Sequence, residues 1–118
     1  MQRAAQVTKL QASKVRELDL SMNDIGPEGA KAVAAMAAVV ASLTSLSTAY
    51  NDISGNGAQQ LAAAVLSKPT LEVFSSIPLK ELRADSLTTL DLFDKGLGVP
   101  EAMVLADLLR SVSASPST

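Results

Sequence analysis

Two hydrophobic periods follow one another along the chain. In ELDLS, Leu18 and Leu20 alternate with Glu17, Asp19 and Ser21, the two-residue period of a strand with one buried face. After Ile25 the spacing lengthens, and Ala30, Val33, Ala34 and Ala37 fall at i, i+3, i+4 and i+7, one stripe of an amphipathic helix. Gly26-Pro27-Glu28 suits the helix start, because proline is tolerated in the first turn and an acid favours the positive end of the helix dipole. One strand and one helix cannot enclose a core, so the pattern requires neighbours of the same kind.

The chain supplies them. Val15-x-x-Leu18-x-Leu20-x-x-Asn23-x-Ile25 returns 28 residues later as Leu43-x-x-Leu46-x-Thr48-x-x-Asn51-x-Ile53. The helical half repeats in step: Gly29-Ala30 becomes Gly57-Ala58, Val33-Ala34 becomes Leu61-Ala62, and Ala37-Ala38 becomes Val65-Leu66. Leu71 and Phe74 fill the next strand slot, and a further copy reads Leu87-x-x-Leu90-x-Leu92-x-x-Lys95-x-Leu97, with Ala102, Leu105, Ala106 and Leu109 as its helical stripe. A fixed period of this length predicts a stacked repeat architecture. The expected units are a degenerate helix or partial repeat at 1–14, repeats at 15–42 and 43–70, a short irregular unit at 71–86, a fourth repeat at 87–110 and a disordered tail at 111–118. The short unit should turn at Ile77-Pro78 and hold at most one helical turn around Lys80 to Ala84. Stacked side by side, the strands form a parallel sheet with helices outside it, an α/β fold in which Leu18, Leu46 and Leu90 line up on adjacent strands.

Asn23 and Asn51 stand where the chain leaves the strand, so a buried amide there can satisfy the backbone groups of the bend. Lys95 occupies the third such position, which ends the ladder or changes the bend. The pattern LxxLxLxxNxI followed by GxxGAxxLAxxL resembles the leucine-rich repeats of the ribonuclease-inhibitor-like class, over about residues 15 to 110. The resemblance implies a short right-handed solenoid, a horseshoe segment whose sheet lines a concave face that grips other proteins. Some members of that class stimulate small GTPases, and others form the sensing end of innate immune receptors. Thr48 departs from it where a leucine is expected, and the alanine-rich first helix makes a thin layer.

Composition narrows the chemistry. The chain is 47% hydrophobic but 3% aromatic, so its interior must be aliphatic and alanine-based. Net charge is −2 with no clustered Lys and Arg, which argues against nucleic acid. Cysteine is absent, so disulfides and thiolate metal sites are excluded, and a reducing, cytoplasmic location is expected. Histidine is absent too, removing the usual general base and the Ser-His and Cys-His nucleophile pairs. No enzyme, cofactor or metal is expected. Gly55-Asn56-Gly57 and Gly96-Leu97-Gly98 fit tight turns rather than phosphate cradles, since no GxGxxG or GxxxxGK[ST] is present. The uncharged run Ala32 to Tyr50 is rich in hydroxyls after Ser42 and is divided by the repeat register, so no membrane span is expected.

By alternation, the outward strand face presents Glu17, Asp19 and Ser21, then Ser45, Ser47 and Ala49, then Thr89, Asp91 and Phe93, with Val73, Ser75 and Ile77 between them if the short unit keeps register. Met22, Tyr50 and Asp94 border it. The expected function is a non-enzymatic protein–protein interaction module, part of a longer array, whose partner-binding residues are Glu17, Asp19, Ser21, Ser45, Ser47, Tyr50, Thr89, Asp91 and Phe93. An open end of the array also admits self-association. The alternatives are a small-GTPase regulator of the leucine-rich-repeat type and a purely structural repeat fragment.

Overall fold

The structure, a computed structural model, describes residues 14–113. Its elements run β1 (Glu17–Asp19), α1 (Gly26–Val39), β2 (Ser45–Ser47), α2 (Gly55–Leu66), β3 (Val73–Phe74), β4 (Ile77–Pro78), α3 (Leu79–Arg83) and α4 (Val99–Ser113). The strands form one sheet in the order β1-β2-β3-β4. β1 pairs with β2 in parallel, Leu18 beside Leu46, and β2 pairs with β3 in parallel, Leu46 beside Phe74. Each step is 28 residues, the period of the sequence.

The sheet is nevertheless mixed. β4 runs antiparallel to β3, pairing Phe74 with Ile77 and Val73 with Pro78. The reversal occurs at Ser75 and Ser76, whose φ values of 49° and 74° place two consecutive residues in the left-handed region, the geometry of a tight hairpin turn. Ile77-Pro78, expected as a turn, is thus the returning strand. It occupies the edge beside β3, and residues 87–92 form no strand. Leu90 therefore does not extend the row of Leu18 and Leu46; Ile77 stands next to Phe74 instead. Leu87, Leu90, Leu92 and Leu97 pack half-buried against the core from a loop.

Beneath the sheet the interior is aliphatic: Leu43, Leu46, Leu61, Val65, Leu71 and Phe74 are fully sealed from solvent. Ala30, Ala34 and Ala37 form the buried stripe of α1, and Ala58, Leu61, Ala62 and Val65 that of α2. The small side chains bring consecutive units close together. A Cβ at Gly57 would lie 2.2 Å from the carbonyl oxygen of Pro27, so the first turn of α2 touches the backbone of the preceding unit. Gly57→Ala must push these two units apart and is expected to cost about 2 kcal/mol, as overpacking does; an unchanged midpoint in urea would show that the contact yields freely.

Basic side chains close the far ends of the helices. Lys68 Nζ donates to the Val40 carbonyl at 2.8 Å, and Arg83 donates to the Leu71 carbonyl at 2.8 Å and that of Val65 at 3.3 Å. In α4 the buried residues are Pro100, Glu101 and Val104, whereas Ala102, Ala106 and Leu109 are exposed. The stripe expected from the repeat is thus rolled by about one position, for a reason found at Glu101 below. The helix also continues to Ser113, three residues beyond the expected end of the fourth repeat. The expected helix within 1–14 and the end of the 111–118 tail lie outside the described residues, apart from residue 14. The uncharged run from Ala32 to Tyr50 is divided between α1, a turn at residues 41–42 and β2. Among the described residues no helix is long and apolar enough to cross a membrane.

Candidate functional site

The outward face of the sheet is built by side chains that alternate with the inward row of half-buried Leu18 and sealed Leu46 and Phe74. Glu17, Asp19 and Val73 are exposed and Ser45 and Ser47 half-buried. Together with Ser76 they line a depression of about 460 Å³ over β1, β2 and β3. Its floor is hydroxyl-rich and its β1 side is acidic.

Asp19 is held by its own turn. Its Oδ1 accepts from the Ser21 backbone N–H at 3.0 Å and the Ser21 hydroxyl at 2.6 Å. The same two-residue span recurs at matching repeat positions, where Ser47 Oγ accepts from Ala49 N–H at 3.4 Å and Asp91 Oδ1 from Phe93 N–H at 3.0 Å. These polar side chains end the outward row by substituting for backbone acceptors. The Ser21 bonds favour the charged carboxylate and lower the Asp19 pKa below its ordinary 3.8. The resulting contribution to stability is complete above the unfolded-state value and is lost as pH falls through the lower folded one. Carboxyl-carbon NMR titration should find Asp19 below 3.8, with Ser21→Ala raising it; an identical titration curve in Ser21→Ala would exclude this cause.

Several residues expected on the outward face are elsewhere. Ala49, Ser75 and Ile77 are buried, Ser75 because its turn directs it inward. Thr89, Asp91 and Phe93 are exposed, but on the loop before α4 and not on a strand, because β4 already fills the sheet edge.

That loop nonetheless keeps the repeat's bend. Met22, Tyr50 and Asp94 share left-handed φ values of 56°, 59° and 54°, and two residues later Asp24, Asp52 and Gly96 repeat it at 53°, 50° and 68°. The tips also touch. The Met22 N–H donates to the Ala49 carbonyl at 3.0 Å, the Tyr50 N–H to the Gly96 carbonyl at 2.8 Å, and the Tyr50 hydroxyl to the Asp94 carbonyl at 2.8 Å. A Cβ at Gly96 would lie 2.4 Å from the Tyr50 ring, so only glycine lets the third loop lie against it. Tyr50 is therefore half covered, while Phe93 and Met22 are 84% and 74% exposed.

Asn51 shows how consecutive bends are locked. Its Oδ1 accepts from the Asn23 and Ile25 N–H groups at 2.9 and 3.1 Å, and its Nδ2 donates to the carbonyls of Leu20, Thr48 and Ala49. One buried amide thus satisfies both its own bend and the preceding one. Asn23 is exposed at the first unit, where its Nδ2 donates to the Ser21 carbonyl. Lys95, at the third position, is exposed, and the ladder stops there.

A second polar centre takes its place. Glu101 is 1% exposed; its Oε2 accepts from the hydroxyls of Thr48 at 2.8 Å and Ser75 at 2.9 Å, and its Oε1 from the Gly98 N–H at 2.8 Å. Ser75 Oγ in turn accepts from the Thr48 N–H at 2.9 Å. This carboxyl joins the ends of β2 and β3 to the start of α4, and its inward position rolls the helix away from the aliphatic register. The only sequence signal for it was Thr48 in a leucine slot. Among the described residues no group of three or more His, Cys, Asp or Glu could hold a metal ion.

The leucine-rich repeat family model matches residues 11–34 and 41–62, covering the strand, bend and most of the helix in each of the first two units. Both matched segments are similar to leucine-rich repeats. No curated protein matches it. Within the repeats, the matched segments contain the outward strand residues Glu17, Asp19, Ser45 and Ser47 and the bend residues Met22, Asn23, Tyr50 and Asn51.

Proposed function

We infer that this protein is a non-enzymatic interaction module, a short leucine-rich-repeat solenoid of the ribonuclease-inhibitor-like type, that binds a protein on its concave strand face. Leucine-rich repeats generally bind proteins and are typically non-enzymatic. The observation that supports this reading is the asymmetry of the sheet. One face is sealed by Leu46 and Phe74, whereas the other holds an open polar depression of about 460 Å³ bordered by Glu17, Asp19, Ser45 and Ser47. The proposed contact surface also includes Ser21, Tyr50, Thr89, Asp91 and Phe93. A cytoplasmic setting belongs to the same reading.

Filling the depression tests it. Ser45→Arg and Ser47→Arg place long side chains over the floor without touching the sealed face. Affinity capture with quantitative mass spectrometry should recover proteins with the parent chain that are at least several-fold depleted with either variant. Identical recoveries for parent and variants would contradict binding on this face.

A further inference from the structure

Phe93, Met22 and Tyr50 are the most exposed large apolar side chains among the described residues, at 84%, 74% and 50%. They belong to three consecutive loop tips that hydrogen-bond one to the next through Ala49, Gly96 and Asp94. Two of them are conformationally unexpected. Left-handed backbone favours glycine, asparagine and aspartate, and a large side chain there is uncommon. Asp24, Asp52 and Asp94 follow that preference, whereas Met22 and Tyr50 do not. Met22 does not recover the cost by packing, because three-quarters of it faces water.

The charge around these tips is one-sided. Asp24, Asp52 and Asp94 are exposed, with Lys95 as the nearby cation. The ion pairs among the described residues, Lys31 with Glu28 and Arg110 with Asp107, leave all three aspartates unpaired. Lys68 and Arg83 are engaged by the backbone carbonyls of Val40, Leu71 and Val65, at or beyond the C-terminal ends of the helices, and do not neutralise the tips. Acids interleaved with apolar side chains raise the local concentration of cationic partners and reward one that also supplies apolar contacts.

The geometry points to a second feature of binding: the loop-tip ridge Met22–Tyr50–Phe93 receives a cationic amphipathic segment of the partner protein, its apolar side chains on the ridge and its lysines or arginines against Asp24, Asp52 and Asp94. This rests on the reading that the chain is a protein-binding module, and it moves the energetic centre from the strand floor to the tips. Tyr50, fixed by its ring contact with Gly96 and its bond to Asp94, is the rigid anchor; Phe93 and Met22 are the surfaces covered on binding.

The probe is a short fluorescein-labelled helical peptide of lysine and leucine in amphipathic order, read by anisotropy against its glutamate–leucine counterpart. The lysine peptide should bind the intact chain, and binding should weaken about tenfold as salt rises past about 0.15 M, where the Debye length falls to about 8 Å. The triple variant D24N/D52N/D94N should weaken it at least tenfold without disturbing the fold, because asparagine also adopts left-handed backbone. Met22→Ala with Phe93→Ala should abolish it, and Ser47→Arg should leave it unchanged. Absence of lysine-peptide binding, equal binding of the glutamate peptide, or binding insensitive to both sets of variants would overturn the inference. So would loss of binding in Ser47→Arg alone, which would leave the strand-face reading standing. A sedimenting dimer of the parent that Phe93→Ala converts to monomer would assign the ridge to a second copy and overturn it as well.

Discussion

Glu101→Ala is expected to lower the unfolding free energy by about 3–5 kcal/mol, the largest effect of any single substitution considered. The carboxyl group receives three donors, and its removal strands the Thr48 and Ser75 hydroxyls in a site closed to water and the Gly98 N–H at its half-buried edge. Each buried donor left without a partner costs about 1–3 kcal/mol, and the three are coupled, so the sum is an upper bound. The loss also has a spatial signature. Glu101 holds α4 to the strand ends, and without it α4 and the preceding loop should open before the first two repeats do. Urea denaturation gives the magnitude, and native-state hydrogen exchange gives the order of opening. Glu101→Gln preserves shape and one acceptor, so it should cost well under half as much. If Glu101→Ala melts with the parent, the centre contributes nothing and another cause must roll α4.

Asn51→Ala ranks next, at about 3 kcal/mol. Its five hydrogen bonds reach Asn23, Ile25 and Leu20 in the first repeat and Thr48 and Ala49 in its own. Alanine cannot replace them, and with Asn51 only 3% exposed, little water can reach the groups left behind. The expected phenotype is local to the seam between repeats: amide protection at Asn23 and Ile25 should fall more than protection within α2. Asn23→Ala makes the comparison, since Asn23 is exposed and should cost a fraction of that. Equal melting of the two alanine variants would remove the asymmetry on which the ladder depends.

How far the sequence reveals these features depends on whether they repeat. The row Leu18, Leu46 and Phe74 was legible because a constant spacing of 28 residues imposes its own register. Asn51 was legible because Asn23 marks the same bend. The alanine stripe of α1 was legible from its helical period. The hairpin at Ser75-Ser76 was not, because neither residue is a glycine or asparagine and nothing else announces two consecutive left-handed residues. That omission propagated to the site. With β4 taking the sheet edge, Thr89, Asp91 and Phe93 could not join the strand face, although their spacing matched it. Asp91 kept its repeat-specific turn all the same, so local bend chemistry survived where strand pairing did not. Glu101 was hidden differently. An acid in the first turn of a helix reads as a dipole partner in solvent, and its burial depends on hydroxyls 53 and 26 residues away.

The placement of Glu17, Asp19, Ser45 and Ser47 on one outward strand face was legible because alternation on paired strands leaves no other arrangement. The ridge of Met22, Tyr50 and Phe93 was less visible, since it depends on tips whose backbone conformation only the fold displays.

The central claim is that consecutive 28-residue units stack in register over one aliphatic interior, leaving the opposite strand face open. Leu46 stands at its middle, between Leu18 and Phe74. Nuclear Overhauser spectra of the methyl-labelled chain test it most directly. Stacking in this register predicts contacts from the Leu46 methyls to both the Leu18 methyls and the Phe74 ring in the same spectrum. Leu46 contacts with neither, or with Leu90 in place of Phe74, would contradict it.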